Sequence, residues 1–259
     1  MSRLWFNRLR LITTLIFVSS LLLSCTPATR SPLPVLTYTQ PQQNPNLLVI
    51  LRGIGGSAED FERLGAITAV RQRNLPFDVV VPDAHFGYYK KQTLVDRLYE
   101  DVIQPARQQG YQHIWLAGFS MGGLGSLIYV REHPEDIDGI LLITPFLGWD
   151  GIIHEIKDAG GVSVWQPGIF DPADDWQRMV WSWIKQSQHT RPLGPPSPPI
   201  YLGYGQDDSI ADEGPPLLAT VLPPCNSFHV PGGHNYEVML TIFRRHLDTL
   251  RDQFPVNTP

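Results

Sequence analysis

The chemistry available to this sequence rests on Ser120, His234 and an aspartate at 207 or 208. Ser120 is the centre of Gly118-Phe119-Ser120-Met121-Gly122, a G-x-S-x-G pentapeptide. The apolar run Ile114-Trp115-Leu116-Ala117 precedes it, and a helix is expected from Met121 to about His133. A serine on a sharp strand-to-helix turn has strained backbone angles and an exposed hydroxyl. The helix doubles back beside the strand, so the residues two positions away must be small, as Gly118 and Gly122 are. The start of the helix, at Met121, offers free N–H groups and the positive end of a dipole to a developing oxyanion. His234 lies on the Gly-rich loop Pro231-Gly232-Gly233-His234-Asn235-Tyr236, placed to serve as a general base. His229 falls inside the preceding strand and is expected to pack or bond locally. Asp207 and Asp208 share the loop Gly205 to Ile210, and a carboxylate there can orient and charge-stabilise the histidine. Such a loop can also be an ordinary Asp-rich turn. Serine, histidine and carboxylate together perform nucleophilic acyl transfer. The remaining histidines, at 113, 133, 154, 189 and 246, have no motif around them.

These side chains need a rigid frame. Leu47–Leu51, Phe77–Pro82, Ile140–Ile143 and Ile200–Tyr204 are short, mostly apolar runs, as expected of strands in a parallel sheet covered on both faces. Asn226–Val230 reads as the last strand. Helical patterns alternate with them: Ala58–Ala69 with Ser57 as N-cap, Leu94–Gln109 stopped by Gly110, the helix after Ser120, and a C-terminal helix to about Gln253. The fold class is therefore α/β, with a mostly parallel sheet and helices on both faces. Ligands of such sheets bind at the C-terminal ends of strands. On that ground His85, Tyr88 and Tyr89, in the loop after Phe77–Pro82, are candidate substrate-pocket residues; an aromatic loop that only packs is the alternative. Residues 144–198 break the rhythm and hold Trp149, Trp165, Trp176, Trp181 and Trp183. A helix is expected there from Asp171-Pro172 to about Gln188. The segment reads as a small cap with an aromatic lining, or as tryptophans that glue an insertion to the body.

The chain has 259 residues, enough for one large domain. Its net charge is −5 with no basic block, which disfavours nucleic acid as a partner. Its cysteines, Cys25 and Cys225, form no spacing that points to zinc, and no metal site is expected. Residues 1–25 read as a targeting segment: Arg3, Arg8 and Arg10, then the uncharged apolar stretch Leu11–Leu23, too short for a spanning helix. Residues 26–46 are rich in Pro, Thr, Gln and Asn and read as a tether reaching about 60 Å if extended. Within them Val35–Thr39 alternates and equally permits an edge strand. Residues 254–259 are a short tail.

The order Ser120, aspartate, His234, the run Gly118 to Leu127 and the motif Gly232-Gly233-His234-Asn235-Tyr236 together resemble the α/β-hydrolase superfamily over about residues 47–253. The elbow is similar to the esterase group that includes esterase D-like enzymes, feruloyl esterases and mycolyl-type acyltransferases. The resemblance implies an α/β-hydrolase fold with a cap at 144–198, and a Gly-x-x-Asp spacing that selects Asp208 over Asp207. It implies an oxyanion hole from the N–H of Met121 and one after Leu47–Leu51, at Ile54 or else Gly55. Many members carry His-Gly in that loop, where this chain has Arg52-Gly53. The implied activity is carboxylic ester hydrolysis through an acyl-enzyme, with no cofactor, on a small-molecule or lipid acyl ester. Acyl transfer to a hydroxyl or amine acceptor is the alternative, and a non-catalytic binding lipoprotein is a third reading. Leu22-Leu23-Ser24-Cys25 resembles the lipobox of bacterial lipoproteins. That implies lipidation at Cys25 and a membrane-tethered protein outside the cytoplasm. Thr26 in place of Asp goes with the outer membrane; a secreted or periplasmic form is the alternative.

Overall fold

The computed structural model describes residues 27–41, 44–189 and 197–254. The targeting segment with Cys25 and the tail after Phe254 lie outside the described residues. The strands are β1 (Val35–Tyr38), β2 (Asn46–Leu51), β3 (Phe77–Pro82), β4 (His113–Phe119), β5 (Gly139–Ile143), β6 (Ile200–Gly205) and β7 (Ser227–Val230). They form one sheet in the order β1-β3-β2-β4-β5-β6-β7. Only β1 runs antiparallel, against β3; every other pairing is parallel. The parallel arrangement follows from the apolar runs. Every residue of β2, β3 and β5 is buried, so helices must cover both faces.

The helices are α1 (Asp60–Arg63), α2 (Ala66–Gln72), α3 (Phe86–Lys90), α4 (Leu94–Leu98), α5 (Gln104–Gln108), α6 (Met121–Glu132), α7 (Asp150–Asp158), α8 (Trp176–His189), α9 (Gly214–Ala219) and α10 (Tyr236–Gln253). Alternate strand residues feed separate cores. Leu47, Val49 and Leu51 pack with α4 to α9, and Leu48 and Ile50 pack with α1, α2 and α10. Two expected helices are broken. Gly65, at φ 93°, splits Ala58–Ala69 into α1 and α2. A π-helical stretch, Tyr99–Ile103, separates α4 from α5, and Pro105 follows, which cannot donate the usual backbone bond.

The N-terminal segment departs from the expected tether. Residues 27–34 lie as a strap on the body. Leu33 is buried in the core, and its N–H donates to Asp101 Oδ2 at 2.8 Å. The Tyr88 hydroxyl accepts from Arg30 N–H at 2.9 Å and lies 3.0 Å from the Arg30 carbonyl oxygen, to which it donates. Lys91 reaches Thr29 and Arg97 reaches Ser31. The edge strand at Val35–Tyr38 forms, and Gln40 and Asn44 then bond the buried Asp78. Proline-rich composition withholds a helix, but it does not stop an extended chain from packing where its N–H and C=O groups find side-chain partners.

Candidate active site

The sheet order reverses between β2 and β4: the chain moves from β2 out to β3, then returns to β4 on the other side. The connections after β2 and β4 leave toward opposite faces, opening a crevice at their C-terminal ends. Ser120 stands at the end of β4 in that crevice. Its backbone is at φ 52°, ψ −117°, a conformation that a non-glycine residue holds only under constraint. Ser120 N–H donates to the Ile143 carbonyl at 2.9 Å, and Ser120 C=O accepts from Phe146 N–H at 3.0 Å. Both bonds fasten the turn to β5 and the loop after it. A methyl group on Gly118 would collide with the backbone of Gly122 and Gly123, and one on Gly122 would collide with the Leu51 carbonyl. The glycines of the pentapeptide are therefore fixed by sterics.

The loops after β6 and β7 bring the partners. His234 Nε2 lies 2.8 Å from Ser120 Oγ, and His234 Nδ1 lies 2.7 Å from Asp208 Oδ2. Asp208 Oδ1 accepts from the N–H groups of Ile210 at 3.0 Å and Ala211 at 2.9 Å. Oδ2 also accepts from the Thr144 hydroxyl. Burial pushes the Asp208 carboxyl up, but the bonds from His234, Thr144 and Ala211 outweigh it and hold the group at about 2. It is a carboxylate at any working pH. Asp207 is exposed and does another job: its carboxylate accepts from Gly232 N–H at 3.2 Å, and its own N–H donates to the Gly232 carbonyl at 3.0 Å. It ties the two loops together beside the trio.

The loop Arg52–Ser57 passes over Ser120. A Cβ added to Gly53 would sit 3.3 Å from Ser120 Cβ and 3.8 Å from Oγ, so backbone runs close to the hydroxyl. Ile54 and Gly55 share with Ser120, His234 and Tyr236 a cavity of about 330 Å³. Met121 is the first residue of α6, so its N–H has no acceptor within the helix. The Ile54 side chain is exposed. Arg52 is buried; Nη1 bonds Asp83 Oδ1 at 2.7 Å and Nη2 donates to the Gly56 carbonyl. It clamps the loop to the end of β3.

Sequence reasoning missed the roles of Thr144 and Arg52. Thr144 follows β5 directly and has φ 43°, which no local pattern announces. Of the pocket candidates, His85 and Tyr88 line a separate cavity of about 530 Å³ that contains none of Ser120, Asp208 and His234. His85 is buried as the N-cap of α3, its Nδ1 accepting from Gly87 N–H at 3.1 Å, and burial lowers its pKa. Tyr88 is fully buried and holds the N-terminal strap. Only Tyr89 reaches the site: its hydroxyl donates to the Met121 carbonyl at 3.0 Å, and it lines an apolar cavity of about 480 Å³ beside Met121.

The insertion splits between its two readings. Trp165 and Trp181 are buried glue, with Trp181 Nε1 donating to the Leu147 carbonyl at 2.8 Å. Trp149 and Trp176 line the apolar cavity. α8 starts at Trp176, not at Pro172. Asp175 caps it by accepting from Arg178 N–H at 3.0 Å, while Asp171 accepts from Ala173 N–H in a separate turn. Among the described residues no group of His, Cys, Asp and Glu could hold a metal ion.

A family model described as the alpha/beta hydrolase fold matches residues 46–180. No curated protein matches the chain in sequence. Among solved structures, Est1E from Butyrivibrio proteoclasticus is similar at a TM-score of 0.57 and 18% identity, covering 85% of this chain and 92% of its own. The monoacylglycerol lipase of Paleococcus ferrophilus is similar at 0.55 and 15% identity, covering 85% and 98%. The S-formylglutathione hydrolase of Staphylococcus aureus gives 0.55 and 12% identity, covering 82% and 83%.

Proposed function

The chain belongs to the alpha/beta hydrolase family, and from that premise we propose that it is a serine esterase working through Ser120, His234 and Asp208. The observation that carries the reading is the unbroken line of bonds from Ser120 Oγ through both nitrogens of His234 to a buried, fully bonded carboxylate. Ionised Asp208 accepts from Nδ1–H, which leaves Nε2 free to take the Ser120 proton. Ser120 Oγ then attacks the ester carbonyl carbon. The carbonyl oxygen becomes an oxyanion and is received by the N–H groups of Met121 and Ile54. As the tetrahedral intermediate collapses, His234 returns the proton to the departing alkoxide and an acyl-enzyme remains. Water, deprotonated by the same nitrogen, attacks the acyl carbon, and His234 passes that proton to Ser120 Oγ as the bond to the acyl group breaks and the acid leaves. Neighbours named as lipase and hydrolase fit this chemistry at the level of the fold.

The test is a panel of esters and thioesters with and without hydroxyl acceptors, run on the protein and on Ser120→Ala. Hydrolysis that disappears in Ser120→Ala supports the esterase. Acyl transfer to an acceptor at the expense of hydrolysis turns the reading to an acyltransferase. No Ser120-dependent turnover overturns it.

The proposal includes the lipid anchor at Cys25, outside the cytoplasm. Pro27 is already packed against the body, where its carbonyl oxygen would lie 2.7 Å from a Cβ on Gly87. Metabolic labelling with an alkyne fatty acid, lost in Cys25→Ala, tests the anchor separately.

A further inference from the structure

Resting on the esterase reading, we propose that the preferred acyl group is a linear, medium-length fatty chain of about ten to twelve carbons, held in the apolar cavity along α6. In the acyl-transfer geometry the leaving oxygen must lie at His234 Nε2, to receive its proton. The cavity that contains His234, Ile54 and Tyr236 is therefore the side for the departing alcohol. The acyl chain must extend the other way, past Met121 and Phe146. Both flank the nucleophile: Met121 follows it, and Phe146 N–H is bonded to its carbonyl. Both also line the second cavity, of about 480 Å³, a volume within the ordinary range for ligand pockets.

The shape of that cavity selects a linear chain. Its floor follows one face of α6 through Met121, Leu124, Ile128 and Glu132, at spacings that return to the same side of a helix. Eleven residues at about 1.5 Å each make a channel roughly 16 Å long. A zigzag hydrocarbon advances about 1.3 Å per carbon–carbon bond, so the channel accommodates about twelve carbons. The deep lining residues Leu94, Leu124 and Phe146 are buried and apolar. The lining residues Lys90, Gln92 and Glu132 are exposed, and the Tyr89 hydroxyl is spent on the Met121 carbonyl. The floor at Met121, Leu124 and Ile128 thus carries no hydroxyl, amide or charged side chain to hold a ring hydroxyl. Exposed Phe86 and Trp149 extend the apolar lining to the surface.

The experiment measures kcat/KM of the full chain on nitrophenyl esters from acetyl to palmitoyl, below their aggregation concentrations, with Ser120→Ala as background. Each methylene lodged in the channel should raise kcat/KM about threefold, somewhat less than complete burial gives. The rise should level off at decanoyl to dodecanoyl. Ile128→Trp, which blocks the channel about 10 Å from Met121, should move the plateau down to about hexanoyl or octanoyl. The wild-type profile stands alone if that variant does not fold. A flat or falling profile with Ser120-dependent acetyl turnover overturns the chain-length assignment and leaves the esterase standing. So does a hydroxycinnamoyl ester preferred over decanoyl, or an unmoved plateau in Ile128→Trp. Absence of Ser120-dependent turnover at every length overturns both.

Discussion

Replacing Asp208 by Asn separates the trio from a mere proximity of side chains. Asp208 Oδ1 accepts two backbone N–H bonds, while Oδ2 faces His234 Nδ1 and the Thr144 hydroxyl. An asparagine can keep its oxygen on the two N–H groups or turn its NH₂ toward them. The second choice sets donors against donors and loses both bonds, at about 1 to 3 kcal/mol for each group left unsatisfied. The first therefore wins, and the NH₂ then faces His234 Nδ1. That nitrogen must accept, so the ring proton moves to Nε2, where it blocks removal of the Ser120 proton. A wrong tautomer of this kind costs about 10⁴ in kcat, which is about 5.5 kcal/mol of barrier. The assay is steady-state turnover of a short-chain nitrophenyl ester near neutral pH, with circular dichroism as the check on folding. Asp207→Asn is the control: it keeps the oxygen that receives Gly232 N–H and should retain activity within tenfold. The same carboxylate also sets an acid limb. Its folded value near 2 lies below the ordinary value near 3.9, so it contributes about 2 to 3 kcal/mol of stability above pH 4. That contribution is lost as pH falls from about 4 to about 2, and in Asp208→Asn this part of the acid unfolding curve should flatten. A folded Asp208→Asn protein within tenfold of wild type, or an Asp207→Asn protein that loses more, would refute the reasoning.

Other outcomes follow from the same geometry. His246 is buried with Nε2–H donating to the Leu142 carbonyl at 3.1 Å, and burial lowers its pKa to about 4. The folded state keeps it neutral while the unfolded state takes a proton below about 6.5, so stability should fall by about 3 kcal/mol as pH drops from 6.5 to 4. Denaturant titrations of His246→Leu should show that slope removed. Gly122→Ala forces a methyl group against the Leu51 carbonyl and should cost more than about 3 kcal/mol or prevent soluble expression, read by thermal melting. Arg52→Met releases the loop held at Gly56 and Asp83; kcat should fall about tenfold, part of the roughly 3 kcal/mol that a lost oxyanion donor costs, with KM little changed.

What the sequence made legible was local or periodic. Gly118 is demanded by the backbone of Gly122 and Gly123, its neighbours in the chain, so that side of the turn around Ser120 could be read locally, whereas Gly122 makes room for the distant Leu51 carbonyl. The β2 and β5 runs announced burial on both faces without knowledge of their partners. His234 was readable because its Gly-rich loop follows the last strand. The choice between Asp207 and Asp208 came from a family's spacing; their distinct partners appear only when loops from β6, β7 and β5 meet. His85 and Tyr88 looked like pocket residues because they lie at the correct end of a strand. Both line a cavity apart from Ser120: one caps α3 and the other faces a strap 58 residues earlier. The strap itself was hidden because composition records a low tendency to fold alone, not the partners that Tyr88 and Asp101 supply. The start of α8 slipped from Pro172 to Trp176 because Asp171 and Asp175 are both competent caps, and only one lies where the helix can dock Trp181 in the core.

The central claim is that Ser120 is a nucleophile activated by His234, and covalent phosphonylation tests it most directly. Intact-mass analysis after treatment with an alkyl fluorophosphonate should show one adduct per chain, mapped to Ser120 by peptide sequencing. Ser120→Ala should show none, and His234→Ala should react at least a thousandfold more slowly. A folded protein that stays unmodified, or that reacts equally well without His234, would contradict the account.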